Sequence, residues 1–198
     1  PLLSIVREDN IKYSTAVNTR GLVGYWKFEE RNGTIVNDSS GKDNDGTLKN
    51  GTGSCGGTAC PTWTTGRFGS GLEFDGIGDY IDAGNASSLS TKEYLTISLW
   101  IKLNSTGLTQ FFVEKGYDDV DNYGFHMCNS DELSFEYYGT SYHHYGTTDL
   151  NLQANVWYHI AVVINKTHIK LFKNDILVYN SSIPEDMGIN TDSILIGK

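Results

Sequence analysis

Apolar residues recur at every second position through most of this chain, the period of a β-strand with one buried face. Leu95, Ile97, Leu99, Ile101 and Leu103 fall on one side of such a strand, with Thr96, Ser98, Trp100 and Lys102 on the other. Val156, Tyr158, Ile160, Val162 and Ile164 repeat the arrangement. Residues 22–28 carry aromatics on both faces, which suits a strand deep inside a sandwich. Gln110–Lys115, Tyr123–Met127, Leu133–Tyr138, residues 141–146 and residues 193–197 supply further short strands. Residues 169–172 and 176–179 flank Lys173-Asn174-Asp175 and read as a hairpin. Residues 72–74 and 80–81 flank Asp75-Gly76-Ile77-Gly78-Asp79 and read as a second hairpin, with a carboxylate at each shoulder where a cation or sugar would fit. About a dozen short strands without a long helical period predict an all-β fold, a two-sheet antiparallel β-sandwich.

Particular residues narrow that class. Gly24-Tyr25-Trp26-Lys27-Phe28-Glu29-Glu30, Asp38-Ser39-Ser40-Gly41 with Asn44-Asp45-Gly46-Thr47-Leu48, the stretch 66–84, Ile97-Ser98-Leu99-Trp100-Ile101-Lys102 and Trp157-Tyr158-His159-Ile160-Ala161-Val162-Val163 come in a fixed order. Together they resemble a laminin-G-like domain of the concanavalin A-like lectin/glucanase superfamily, a jelly roll. The resemblance spans roughly residues 21–198 and speaks to fold more than function, since one sandwich hosts lectins, adhesins, enzyme appendages and catalytic domains. It implies a domain over 21–198, with residues 1–20 a connector from an upstream segment. It also implies a further strand after Lys198 that packs near the first. That slot is expected to be filled by later residues, by a strand donated from a neighbouring subunit, or by residues 2–6 folding back. The last option ranks behind the others because 2–6 alternate poorly.

Composition adds exclusions. A net charge of −9 argues against nucleic acid, which favours a basic stripe. No apolar run approaches the roughly 18 residues of a membrane span. The start at Pro1 without Met or a signal peptide is expected of a processed or excised chain. Cys55 and Cys60 bracket a short polar loop, a spacing that suits a disulfide and an oxidising compartment, whereas Cys128 reads as a buried thiol. Asn32, Asn37, Asn50, Asn85, Asn104, Asn165 and Asn180 each open a glycosylation sequon, where chance predicts about three. Both signals place the chain outside the cell or on its surface.

Four groups of residues are candidates for chemistry. Asp38-Ser39-Ser40-Gly41-Lys42-Asp43-Asn44-Asp45-Gly46 is dense in the oxygen ligands that calcium takes, and the resemblance adds that such jelly rolls often hold calcium at the sandwich edge. Asp38 and Asn44 lead the ligand set, with Asp43, Asp45 and Glu29 after them; a glycan on Asn37 would crowd such an ion. Asp118-Asp119-Val120-Asp121-Asn122 reads as a solvated acidic loop. Tyr137, Tyr138, Tyr142, His143 and Tyr145 combine rings with polar groups as glycan recognition requires; Trp100 and Trp157 lie on sheet faces that would extend it. His143 and His144 are adjacent on a strand and point to opposite faces. Related hydrolases share a Glu-x-Asp-x-Glu arrangement, and here Glu132 and Glu136 flank Ser134 instead of Asp. The expected function is a non-catalytic module binding a glycan or glycoprotein, with a structural or adhesive subunit of a surface or filament protein as the rival.

Overall fold

A computed structural model of the chain describes residues 2–4, 20–51, 53–55, 60–116, 123–148 and 150–198. The acidic loop 118–122 and most of the connector lie outside the described residues. In chain order the strands are β1 (Leu2–Ser4), β2 (Leu22–Gly24), β3 (Ile35–Val36), β4 (Gly46–Asn50), β5 (Gly53–Ser54), β6 (Thr62–Thr65), β7 (Ser70–Glu73) and β8 (Asp79–Asp82). A 3₁₀ turn at Ser87–Leu89 precedes β9 (Leu95–Lys102), β10 (Gln110–Lys115), β11 (Tyr123–Met127), β12 (Leu133–Tyr138), β13 (Tyr142–Thr147), β14 (Trp157–Ile164), β15 (His168–Lys173), β16 (Ile176–Ser182) and β17 (Ile194–Ile196).

Two sheets face one another. One runs β16-β15-β14-β9-β1-β2; the other runs β13-β12-β11-β10-β17-β8-β4-β3, with β5 paired to β4. The aliphatic rows read from the sequence meet between them: Ile97, Val113, Phe125, Phe135, Ile160, Val162 and Ile169 are fully buried. Burying each such side chain stabilises the fold by about 1.5–3 kcal/mol. Val156 departs from its row and is exposed, because β14 begins one residue later.

The hairpin around Asn174-Asp175 forms as expected. Both residues have positive φ, 47° and 65°, as a two-residue turn between right-twisted strands requires, and Lys173 faces Ile176 across it. The hairpin expected around residues 75–79 does not form. β7 pairs with β6 in a separate two-stranded sheet, while β8 lies between β4 and β17. The turn chemistry is present, with Asp75 Oδ1 accepting from the Ile77 N–H and Asp79 Oδ2 from the Asp75 N–H. Here it redirects the chain from one sheet to another, because Thr62–Thr65 offers β7 a ladder. The 22–28 strand is likewise shorter than expected. β2 ends at Gly24, and Trp26 forms only an isolated bridge to Asp38, although Tyr25 and Trp26 are both buried as its pattern demands.

The strand β1 lies between β2 and β9. Leu2–Ser4 runs parallel to both neighbours, with Leu3 opposite Ile97 on one side and Gly24 on the other. Residues 2–4, expected from the sequence to belong to a connector, are thus a strand of this sheet. The pairing is three residues long, so it satisfies the neighbouring backbone groups over a short span only.

Candidate functional site

The glycan candidates from the sequence lie on β12 and β13, where strand alternation divides them. Register places Tyr123 opposite Tyr137 and Tyr137 opposite His143; Phe125 faces Phe135 and Phe135 faces Tyr145. These rings point into the sandwich. Tyr137 is fully buried, packs against the tilted ring of His143 with centroids 4.9 Å apart, and donates from its hydroxyl to the Glu185 carbonyl at 3.0 Å. The expected platform from Tyr137 to Tyr145 is therefore corrected: Tyr137 is core, and His143 and Tyr145 stack beside it. Tyr138 and Tyr142 lie on the outer face, 5.2 Å apart.

The other alternate residues make a polar cluster on that outer face. His126 lies opposite Ser134, Ser134 opposite Gly146, and Glu136 opposite His144. At the hairpin end, the Cys128 N–H donates to the Glu132 carbonyl at 2.9 Å and the Asp131 N–H to the Cys128 carbonyl at 3.0 Å. Asp131 takes the left-handed conformation that this tight turn needs, φ 58°. The turn thus brings the side chains of Cys128 and Glu132 to one spot. His144 reaches it from β13, with Nε2 3.2 Å from Glu132 Oε1 and 3.4 Å from Ser134 Oγ. Cys128 Sγ lies 3.3 Å from His126 Nε2 and 3.5 Å from Ser134 Oγ.

Glycine makes the room. A Cβ on Gly146 would lie 2.2 Å from Glu132 Oε1 and 2.6 Å from Ser134 Oγ, so any side chain there would displace the carboxylate. Around the cluster, Tyr142 donates its hydroxyl to Glu136 Oε2 at 2.6 Å. Burial, then this hydrogen bond, pushes the Tyr142 phenol upward. Burial also lowers the His126 pKa, partly opposed by the Glu136 charge. His126 Nδ1 is buried without a hydrogen-bond partner among the described residues, and its ring packs 4.6 Å from that of Phe111.

The sequence expectation overlooked this cluster. Its signal was the period-two run His126-x-Cys128, Glu132-x-Ser134-x-Glu136 and Tyr142-x-His144, which needs the register of three strands to become one site. The expected opposition of His143 and His144 is present: His143 Nε2 meets Glu185 Oε1 at 2.7 Å on the far side.

In the loop from Asn37 to Gly46 the ligand candidates only partly converge. Asp38 Oδ1 accepts from the N–H groups of Tyr25 and Ser40, both at 2.8 Å. Its Oδ2 accepts from Ser40 Oγ at 2.6 Å and the Asn44 N–H at 3.1 Å. Asp45 Oδ1 accepts from the Asp38 N–H at 2.7 Å. Asn44 is buried; its Nδ2 donates to the Val23 carbonyl, and its own carbonyl accepts from the Trp26 indole. Asp43 is exposed with φ 58°, and Glu29 sits instead with Arg31 and Ser70. Both Asp38 oxygens are already taken by donors of Tyr25, Ser40 and Asn44, so the side chains as placed do not fit calcium.

Other places are simpler. Cys55 and Cys60 form a disulfide with Cα atoms 5.7 Å apart, and Cys128 is a free thiol. The sequon asparagines are exposed except Asn50, which is half-buried and donates to Asp79 Oδ1. A shallow depression of about 530 Å³ lies among Arg31, Trp63, Thr64, Thr65, Gly69 and Ser70. On the other sheet, Trp100 is covered by Phe68 and Arg67, and Trp157 by Lys102. Ser98 Oγ, His159 Nε2 and Asp175 form a relay, with contacts of 2.8 and 3.5 Å. Ser98 is 9% exposed in mid-strand, paired on both sides by β1 and β14, so its backbone is committed to ladders rather than to an oxyanion hole. Among the described residues no helix is long and apolar enough to cross a membrane.

Fold and sheet order define a lectin-like β-sandwich. The family described as the concanavalin A-like lectin/glucanases superfamily, in its laminin-G form, matches residues 75–198, and the chain belongs to it. Among solved structures, domain 4 of the GH43 extracellular arabinanase AbnA from Geobacillus stearothermophilus, in complex with arabinotriose, superposes with TM-score 0.62 at 16% identity, covering 80% of this chain and 75% of that one. A mutant of HCR/D matches with TM-score 0.57 at 15% identity over 81% of this chain and 40% of that one. Domains LG4-5 of the mouse laminin alpha1 chain match with TM-score 0.46 at 16% identity, covering 54% and 28%. A search of curated protein sequences gives no match. At these identities the first two likenesses show a shared fold.

Proposed function

We propose that this chain is a non-catalytic carbohydrate-binding module of an extracellular or cell-surface protein, and that its ligand docks on the outer face of β12 and β13. The observation that carries the reading is the pair Tyr138 and Tyr142, outward-facing rings 5.2 Å apart, beside the polar groups of Glu136 and His144. Sugar rings stack their apolar faces on aromatics and send hydroxyls to such polar neighbours. The arabinanase domain solved with arabinotriose supports a sugar as ligand class. The disulfide and exposed sequons support the compartment. Calcium is a separate test rather than a premise, since Asp38 already holds four donors.

A glycan array probed with the intact chain, followed by titration of the best ligand, tests this. Tyr142→Ala should weaken binding by about 1–3 kcal/mol, a figure borrowed from base–aromatic stacking, while Trp63→Ala in the separate depression should leave affinity unchanged. The opposite pattern would move the site to the depression. A blank array would favour the second reading, a structural or adhesive subunit. That reading rests on the exposed Ile176 and Leu177, 67% and 48% accessible, on the edge strand β16, an apolar edge of the kind that pairs with a neighbour.

A further inference from the structure

We propose that Cys128, Glu132 and His144 form a binding site for a zinc-like divalent ion on the outer face of β11–β13. The inference stands on the donor set and its geometry, independently of any glycan. One ligand atom from each of the three residues lies within 4.8 Å of the other two, the single such His, Cys, Asp or Glu group among the described residues. Zn–S of about 2.3 Å and Zn–N of about 2.0 Å make tetrahedral ligand–ligand edges of roughly 3.3–3.6 Å. His144 Nε2 and Glu132 Oε1 already stand 3.2 Å apart, so rotamer adjustment of the thiol completes the triangle.

The chemistry selects among metals. Thiolate, imidazole and carboxylate together suit zinc, whereas calcium takes oxygen alone. Metal binding releases the Cys128 thiol proton to solvent and forms a metal–sulfur bond, with no redox change. His126 Nε2 lies 3.3 Å behind the sulfur; once the thiol is ionised only the tautomer that donates from Nε2 satisfies that contact, which makes His126 an outer-shell partner of the thiolate. Gly146 keeps open the space that Glu132 needs. Three protein ligands leave a fourth position for water or a ligand oxygen, the pattern of an open zinc site.

Titration of the untagged chain with cobalt(II), as a spectroscopic substitute, tests the proposal. The expected result is one equivalent bound, with tetrahedral visible bands and a thiolate-to-metal charge-transfer band. Zinc should displace the cobalt and slow alkylation of Cys128, the cysteine that labels without reduction. Cys128→Ser should remove the charge-transfer band, and His144→Asn the tetrahedral spectrum. Gly146→Ala, which crowds only the tip of Glu132 and Ser134, should weaken zinc about 10–100-fold, as should His126→Asn. An unchanged thermal midpoint in the metal-free variants confirms that each is folded. Only the spectrum of hydrated cobalt in the parent chain, or a spectrum unaltered by Cys128→Ser, overturns the site.

Discussion

The loop from Asn37 to Gly46 and the outer face of β11–β13 are both rich in metal-ligating side chains, yet they are assembled in opposite ways. In the loop one carboxylate gathers four donors, three of them backbone N–H groups. On the sheet face, Cys128, Glu132, Ser134 and His144 contact each other side chain to side chain. A carboxylate saturated by backbone donors is a structural brace, because any cation must first displace bonds that hold the loop. Side chains that meet only one another give up little when an ion comes between them. Ligand density in a sequence does not separate these cases; the source of the hydrogen bonds does.

The largest expected effect sets the two faces of the paired strands β12 and β13 against each other. Tyr137→Ala removes a fully buried ring and should cost about 3–5 kcal/mol in urea denaturation. Tyr142→Ala, on the adjacent strand with its ring 48% exposed, should cost under about 1 kcal/mol. Equal losses would mean that the outer face is also core, and would leave it no part in binding.

Asp38→Ala should come next. It strands donors of Tyr25, Ser40 and Asn44 at once, each half-buried or buried, and leaving one such group unsatisfied costs about 1–3 kcal/mol. We expect about 2–3 kcal/mol, with the thermal midpoint of the parent chain unchanged by a calcium chelator. A midpoint that fell on chelation, and did so only when Asp38 was present, would turn the brace into an ion site.

How much of this was legible in the sequence follows the range of the interactions. Period-two rows exposed β9, β14 and the Asn174-Asp175 hairpin, because alternation and turn chemistry act between near neighbours. The turn at 75–79 misled for the complementary reason. Asp and Gly specify a change of direction, while the partner of β7 is chosen by Thr62–Thr65, and β8 enters between β4 and β17, over a hundred residues apart. The zinc-like cluster was invisible as a unit. His126, Cys128, Glu132 and His144 lie on three strands, and only the registers that set Ser134 opposite both His126 and Gly146 align them. The aromatic run 137–145 looks like one surface without its register; alternation splits it between core and solvent.

Glu185 supplies the smallest effect and a third kind of carboxylate, one that ties two loops together. Its Oε1 accepts from the N–H groups of Thr140 and Ser141 at 2.9 and 3.1 Å and from His143 Nε2 at 2.7 Å; its Oε2 accepts from the Thr140 hydroxyl. The Thr140 hydroxyl first, then His143, hold its pKa down to about 2. A folded-state value below the unfolded one adds stability that is fully present above the unfolded pKa of about 4.3 and is lost as pH falls through the folded value. Glu185→Gln keeps the shape and removes the charge. The parent chain should therefore exceed the variant in stability at about pH 6, and the gap should narrow as pH falls from about 5 towards 2. Urea denaturation of both proteins across that range measures it. A gap that stayed constant would show that Glu185 acts through shape alone, and would set it apart from the charged brace formed by Asp38.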